Sequence, residues 1–157
     1  MDLLPKPKER SFQDGAYTPG IHAMILLAPG TAPGALLYAR MLHQAGLTPD
    51  VGRGAARPGD IALAVDAALP AGQYRLAIAP DAVTLTAGDD EALCNGVQTL
   101  RQIIDLNGAV LPAQTIIDWP DMATRGYYFD CSRGRVPKLS YLKQVGDRLC
   151  RYKVNQW

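Results

Sequence analysis

Tyr74-Arg75-Leu76-Ala77-Ile78-Ala79 and Ala82-Val83-Thr84-Leu85-Thr86, separated only by Pro80-Asp81, read as two strands joined by a tight turn. Tyr74, Leu76 and Ile78 fall on one face of the first strand. In the second, Val83 and Leu85 alternate with Thr84 and Thr86. A polar alternate row leaves one sheet face partly wet, as antiparallel sheets commonly are. Asp89, Asp90 and Glu91 follow, and negative charge is stabilised at a helix amino end. Leu93, Val97, Leu100 and Ile104 then recur at the spacing of one helical face. Gly96 inside that helix costs about 1 kcal/mol relative to alanine, and is read as allowing close packing on the sheet.

Upstream of this hairpin, residues 1–20 are a lead-in punctuated by proline and glycine. Residues 21–28 (IHAMILLA) form a strand, residues 35–45 a helix ended by Gly46, and 61–67 (IALAVDA) a further strand. The stretch LTPDVGRGAARPGD (47–60) is expected to be a long exposed loop. Residues 21–118 therefore predict a small α+β domain: a mainly antiparallel sheet with two helices covering one face. Downstream, RGYYFD (125–130) is a strand candidate, and Pro137 suits a first helical turn. Leu142, Val145, Leu149 and Tyr152 line one helix face, and KVNQW (153–157) begins another extended run. Strand, helix and strand make a βαβ unit, which cannot bury its sheet alone. The unit therefore reads as truncated, and as the first portion of a (β/α)8 barrel if that is the parent fold, with domains at 1–120 and 121–157.

Of the 157 residues, 48% are apolar and 20% charged, with a formal net charge of +1. Lysines and arginines are scattered, so nucleic acid and anionic membranes are not expected partners. No run approaches the roughly 20 apolar residues of a membrane-spanning helix, and the first residues do not form a secretory signal. Cys94, Cys131 and Cys150 are odd in number and lack CxxC spacing, which argues against a disulfide framework or a zinc site. Cysteine usage leans towards a reducing, cytoplasmic compartment, while localisation itself is left open. His22 and His43 are isolated, and the glycines at 30–34 and 52–54 lack the lysine-bearing motif of a phosphate loop. No metal and no cofactor are expected.

Four stretches, taken in order, carry a resemblance. They are Leu3-Leu4-Pro5-Lys6-Pro7; the hairpin just described; Gly96-Val97-Gln98-Thr99-Leu100-Arg101-Gln102; and a final series. That series runs through Ile117-Asp118-Trp119-Pro120, Arg125-Gly126, Asp130, Ser132-Arg133 and Tyr152-Lys153-Val154-Asn155. Together they resemble the β-N-acetylhexosaminidases of glycoside hydrolase family 20: an accessory domain, then the beginning of the catalytic barrel. Family 84 β-N-acetylglucosaminidases are the nearest alternative, but Tyr127-Tyr128-Phe129-Asp130 after the Arg-Gly pair favours family 20. A non-enzymatic accessory or interaction module is the other alternative.

The resemblance implies hydrolysis of terminal N-acetylglucosamine or N-acetylgalactosamine with retention, by substrate-assisted catalysis. The acetamido carbonyl attacks the anomeric carbon; a glutamic acid and a neighbouring aspartate assist. That pair is expected beyond Trp157, so no catalytic residue is assigned and the chain alone is expected to be inactive. Arg125 is the one residue given a direct substrate role, as a donor to sugar hydroxyls. An ion pair with Asp118 or Asp121 is its structural alternative. Asp130, Arg133 and Asn155 are expected to support the site. Tyr127, Tyr128, Phe129 and Trp157 are expected in the core, and Cys131 as a small packing residue.

Overall fold

The computed structural model describes residues 2–132, 134 and 136–157. Among them are seven strands in one sheet and three α-helices. The strands are β1 (Glu9–Tyr17), β2 (Met24–Leu27), β3 (Asp50–Arg53), β4 (Ile61–Val65), β5 (Tyr74–Ala79), β6 (Ala82–Ala87) and β7 (Leu111–Asp118). The helices are α1 (Ala35–Gln44), α2 (Asp90–Asn107) and α3 (Leu139–Arg151).

The strand order is β1-β7-β5-β6-β4-β2-β3. The β1, β7, β5 and β6 ladders are antiparallel, whereas β6–β4, β4–β2 and β2–β3 are parallel. The sheet is therefore mixed, which corrects the expectation of a mainly antiparallel one. The cause lies in residues 47–60, which contain β3 rather than only loop. A strand at Asp50–Arg53 turns β2–α1–β3 into a crossover, and parallel neighbours require such a connection. β1 likewise lies inside the supposed lead-in.

The hairpin follows the expected register, with Leu76 opposite Leu85 and Ile78 opposite Val83. All four are buried. Asp89 caps α2: its Oδ1 accepts from Ala92 N at 2.7 Å and its Oδ2 from Gly72 N at 2.7 Å. Leu93, Val97, Leu100 and Ile104 are buried as the periodicity requires. Gly96 explains the close approach of α2, because a Cβ there would collide with Leu85 Cδ1 and lie 3.1 Å from Tyr74 Cδ2. α1 packs beside α2, against β2 and β3.

The polar residues of α2 stitch the chain together. Gln102 accepts from Leu4 N at 2.8 Å through Oε1, and its Nε2 donates to Leu4 O at 2.6 Å and Arg151 O at 3.1 Å. Thus the lead-in and the end of α3 meet on one side chain. Beyond Asp118 the order thins. The 125–130 run makes only an isolated parallel bridge, Gly126 to Gln156, and α3 buries no side chain. Tyr127, Tyr128 and Trp157 are exposed, contrary to their expected core packing, because no further element lies over them among the described residues.

Candidate functional site

Two places along the 119–157 segment hold concentrated polar groups. The first is the seam with the sheet, built on Asp118 at the end of β7. Lys153 Nζ donates to Asp118 Oδ2 at 2.7 Å and to Tyr74 Oη at 3.0 Å. The Tyr74 hydroxyl donates to Asp118 Oδ2 at 3.0 Å, and Thr99 Oγ1 lies 2.7 Å from that hydroxyl. Lys8 N donates to the other carboxylate oxygen at 3.2 Å. Asp118, Lys153, Tyr74 and Thr99 are all buried. Burial pushes the Lys153 ammonium below the usual lysine range, against the opposing pull of Asp118. The Tyr74 phenol is raised, by burial first and then by the Asp118 charge. Lys153 adopts a left-handed backbone, with φ of 62°, as its side chain turns into this network.

Arg125 extends the seam outward. Its Nε donates to Lys153 O at 2.7 Å, Nη1 to Met122 O at 2.7 Å and Nη2 to Glu91 Oε1 at 2.6 Å. Asn155 completes the group: Oδ1 accepts from Arg125 N at 2.9 Å, while Nδ2 donates to Glu91 Oε1 at 3.0 Å and Ala123 O at 2.8 Å. The ion-pair partner is thus Glu91 of α2. Asp118 is held by Lys153, and Asp121 pairs with Lys8. The seam encloses a cavity of about 150 Å³ bordered by Lys6, Trp119, Arg125 and Lys153. Small-molecule pockets typically span roughly 300–1,000 Å³, so this one is a joint rather than a ligand pocket.

The second place is the far end of the 125–130 run. Asp130 Oδ1 accepts from Ser132 N at 2.7 Å and from Ser132 Oγ, closing a local turn. A cleft of about 720 Å³ opens against Phe129, Asp130, Val136, Pro137, Lys138 and Tyr141. Arg133, expected to order this loop, lies outside the described residues. Gly126 does not answer to local crowding, since a Cβ there would meet Gln156 Cβ at 3.7 Å, an ordinary contact. Among the described residues no group of His, Cys, Asp and Glu could hold a metal ion, and no helix is long and apolar enough to cross a membrane.

Residues 1–119 match the family model for glycosyl hydrolase family 20, domain 2. The chain belongs to glycosyl hydrolase family 20. Its solved relatives extend the likeness of this family 20 chain past the matched domain. A β-N-acetylhexosaminidase from Streptomyces coelicolor A3(2) superposes on 98% of the chain with a TM-score of 0.80 and 27% identity. An exo-β-N-acetylglucosaminidase from Vibrio harveyi, solved in complex with N-acetylglucosamine, covers 98% with a TM-score of 0.80 and 25% identity. Beta-hexosaminidase B from Pseudoalteromonas piscicida is 26% identical over 83 residues, 53% of this chain. The chain spans 33%, 24% and 11% of those three proteins respectively.

The family 20 motifs now acquire physical meanings. Gly96 admits the sheet, Thr99 and Tyr74 meet Asp118, and Gln102 ties down Leu4. Glu91 and Lys153 are the site residues that sequence reasoning missed. Glu91 was legible only as helix-end charge. Lys153 carried no role of its own within the Tyr152–Asn155 motif, because what defines it is a buried contact with Asp118, 35 residues away in sequence.

Proposed function

We propose that this chain supplies the accessory domain and the opening strand–helix–strand segment of a β-N-acetylhexosaminidase, with residues 1–120 bracing and 121–157 starting a (β/α)8 barrel. The observation that carries this reading is the superposition over 98% of the chain, which continues beyond residue 119 into the α3 region. The parallel Gly126–Gln156 bridge across α3 agrees with it, because a (β/α)8 barrel repeats that connection. In the whole enzyme a terminal N-acetylhexosamine is released with retention, its acetamido oxygen attacking the anomeric carbon. The acid/base glutamate and the orienting aspartate come from residues outside this chain.

Arg125 enters this reading as a positioning group. It stands at the start of the 125–130 run, and its guanidinium is spent on Glu91 and backbone carbonyls. Barrel active sites form at the carboxyl ends of strands, here the end that carries Asp130 and leads to Arg133. The direct sugar contact implied for Arg125 is therefore transferred to that end, with Arg133 as the guanidinium to test.

Hydrolysis of a chromogenic N-acetylglucosaminide tests the proposal. The protein carrying this chain with its barrel should turn the substrate over, and the 157 residues alone should not. Turnover by the 157 residues would overturn the assignment of the chemistry to other segments. Arg133→Lys should raise KM at least tenfold with little change in Tm, whereas Arg125→Lys should lower Tm. A rise in KM confined to Arg125→Lys would restore the sugar contact to Arg125.

A further inference from the structure

Cys94 on α2 and Cys150 on α3 bring their Sγ atoms to 3.9 Å across the contact between the two helices. We propose that this pair is a dithiol–disulfide site that takes a small-molecule disulfide of the glutathione class as its oxidant and covalently fastens α3 to α2. A disulfide needs a separation of about 2.05 Å, so the sulfurs must close by roughly 2 Å. α3 buries no side chain and can supply that adjustment. Both thiols are partly exposed, so a reagent can reach them.

The surroundings make the two thiols unequal. The hydrogen bond shared between the two sulfurs lowers Cys150 to about 7 against the opposing effect of burial. Arg101 of α2 adds positive charge and Asp147 of α3 opposes it. Cys94 is raised by the same hydrogen bond and by burial, while Gln98 and Tyr38 stabilise its thiolate. Asp90 also faces this group, through Tyr38. Cys150 is therefore the attacking sulfur, since the thiolate is the nucleophile.

In the first step the Cys150 thiolate attacks one sulfur of the oxidant. An S–S bond forms, the oxidant's own S–S bond breaks, and one thiolate leaves. Cys94 then loses its proton to solvent and attacks Cys150 Sγ, expelling the second thiolate. Two protein thiols are oxidised, one external disulfide is reduced, and the balance closes. The odd cysteine count had pointed away from a disulfide, but the third cysteine is Cys131, whose Sγ sits 4.0 Å from the Phe129 carbonyl oxygen.

The folded 157-residue chain, equilibrated with oxidised and reduced glutathione, tests the site. Non-reducing peptide mapping should recover a Cys94–Cys150 linked peptide with Cys131 still alkylatable, and Tm should rise by roughly 5–10 °C. Cys94→Ser should arrest Cys150 at the glutathione mixed disulfide, and Cys94→Ala, which removes the hydrogen-bond donor as well, should also move the pH midpoint of its alkylation upward. Cys94→Ala gives the same arrest should serine disturb the helix contact. A wild-type chain that stays reduced, stops at the mixed disulfide or links through Cys131 would overturn the proposal.

Discussion

α2 and α3 are both amphipathic helices with an apolar stripe of leucine and valine, yet they occupy opposite situations. α2 sinks Leu93, Val97, Leu100, Ile103 and Ile104 into the sheet, while α3 buries none of its residues. The contrast separates two ways of holding a helix. α2 is held by apolar area removed from water, worth roughly 25 cal/mol per Å². α3 is held at its edges by polar contacts: Arg101 with Asp147 at 3.2 Å, Arg151 with Asp105, and Gln102 with the Arg151 carbonyl. Exposed ion pairs contribute only about 0–1 kcal/mol each. The one strong fastening in this region is the buried Lys153–Asp118 pair just past the end of α3.

That pair is the place to break the contrast most severely. Lys153→Met should destabilise the fold by about 3–5 kcal/mol in urea titration, because it strands a buried carboxylate. Adding Asp118→Asn should recover part of the loss; a single variant as stable as wild type would show that the seam contributes nothing. The next contrast is apolar. Leu100→Ala should cost about 2–5 kcal/mol as a cavity in the core. Leu149→Ala, on the half-buried face of α3, should cost under about 1 kcal/mol. Equal losses would mean that α3 is packed as α2 is. The smallest effect differs in sign. Gly96→Ala should destabilise by about 1–3 kcal/mol through overpacking against Leu85 and Tyr74. Gly146→Ala should instead stabilise by up to ~1 kcal/mol, since a Cβ there meets only Trp157 at 3.5 Å and helix propensity improves.

The same contrast explains what could be read from residues alone. Where burial is one-sided and regular, as in β5, β6 and α2, the pattern of leucine, isoleucine and valine reports it directly. β1 resists that reading because ERSFQDGAY is an edge strand exposed over most of its length. β3 has only four residues and carries Gly52 in place of a packing side chain. β7 contains Pro112, a poor strand residue that is tolerated here beside the register shift between Phe12 and Ala16. Without β3 the parallel half of the sheet could not be inferred. In the candidate site, Arg125 and Asn155 stood out through motif resemblance, and the structure brings both to Glu91. Their partners are set by long-range packing, which no local spacing encodes. The nearness of Cys94 and Cys150 depends in the same way on how α3 lies over α2.

The pairing of β1 with β7 also sets a clock on the ribosome. Glu9 finds its partner in Ile117, and Tyr17 in Leu111, about 100 residues later. At about 5–20 residues per second, the first strand emerges roughly 5–20 s before the strand that will cover it. During that interval its hydrogen-bonding edge is open to any passing chain. A strand with eight of its nine residues outside the core, studded with Glu9, Arg10, Gln13 and Asp14, is a poor template for such encounters. The polarity that hides β1 from a pattern search is thus what lets it wait.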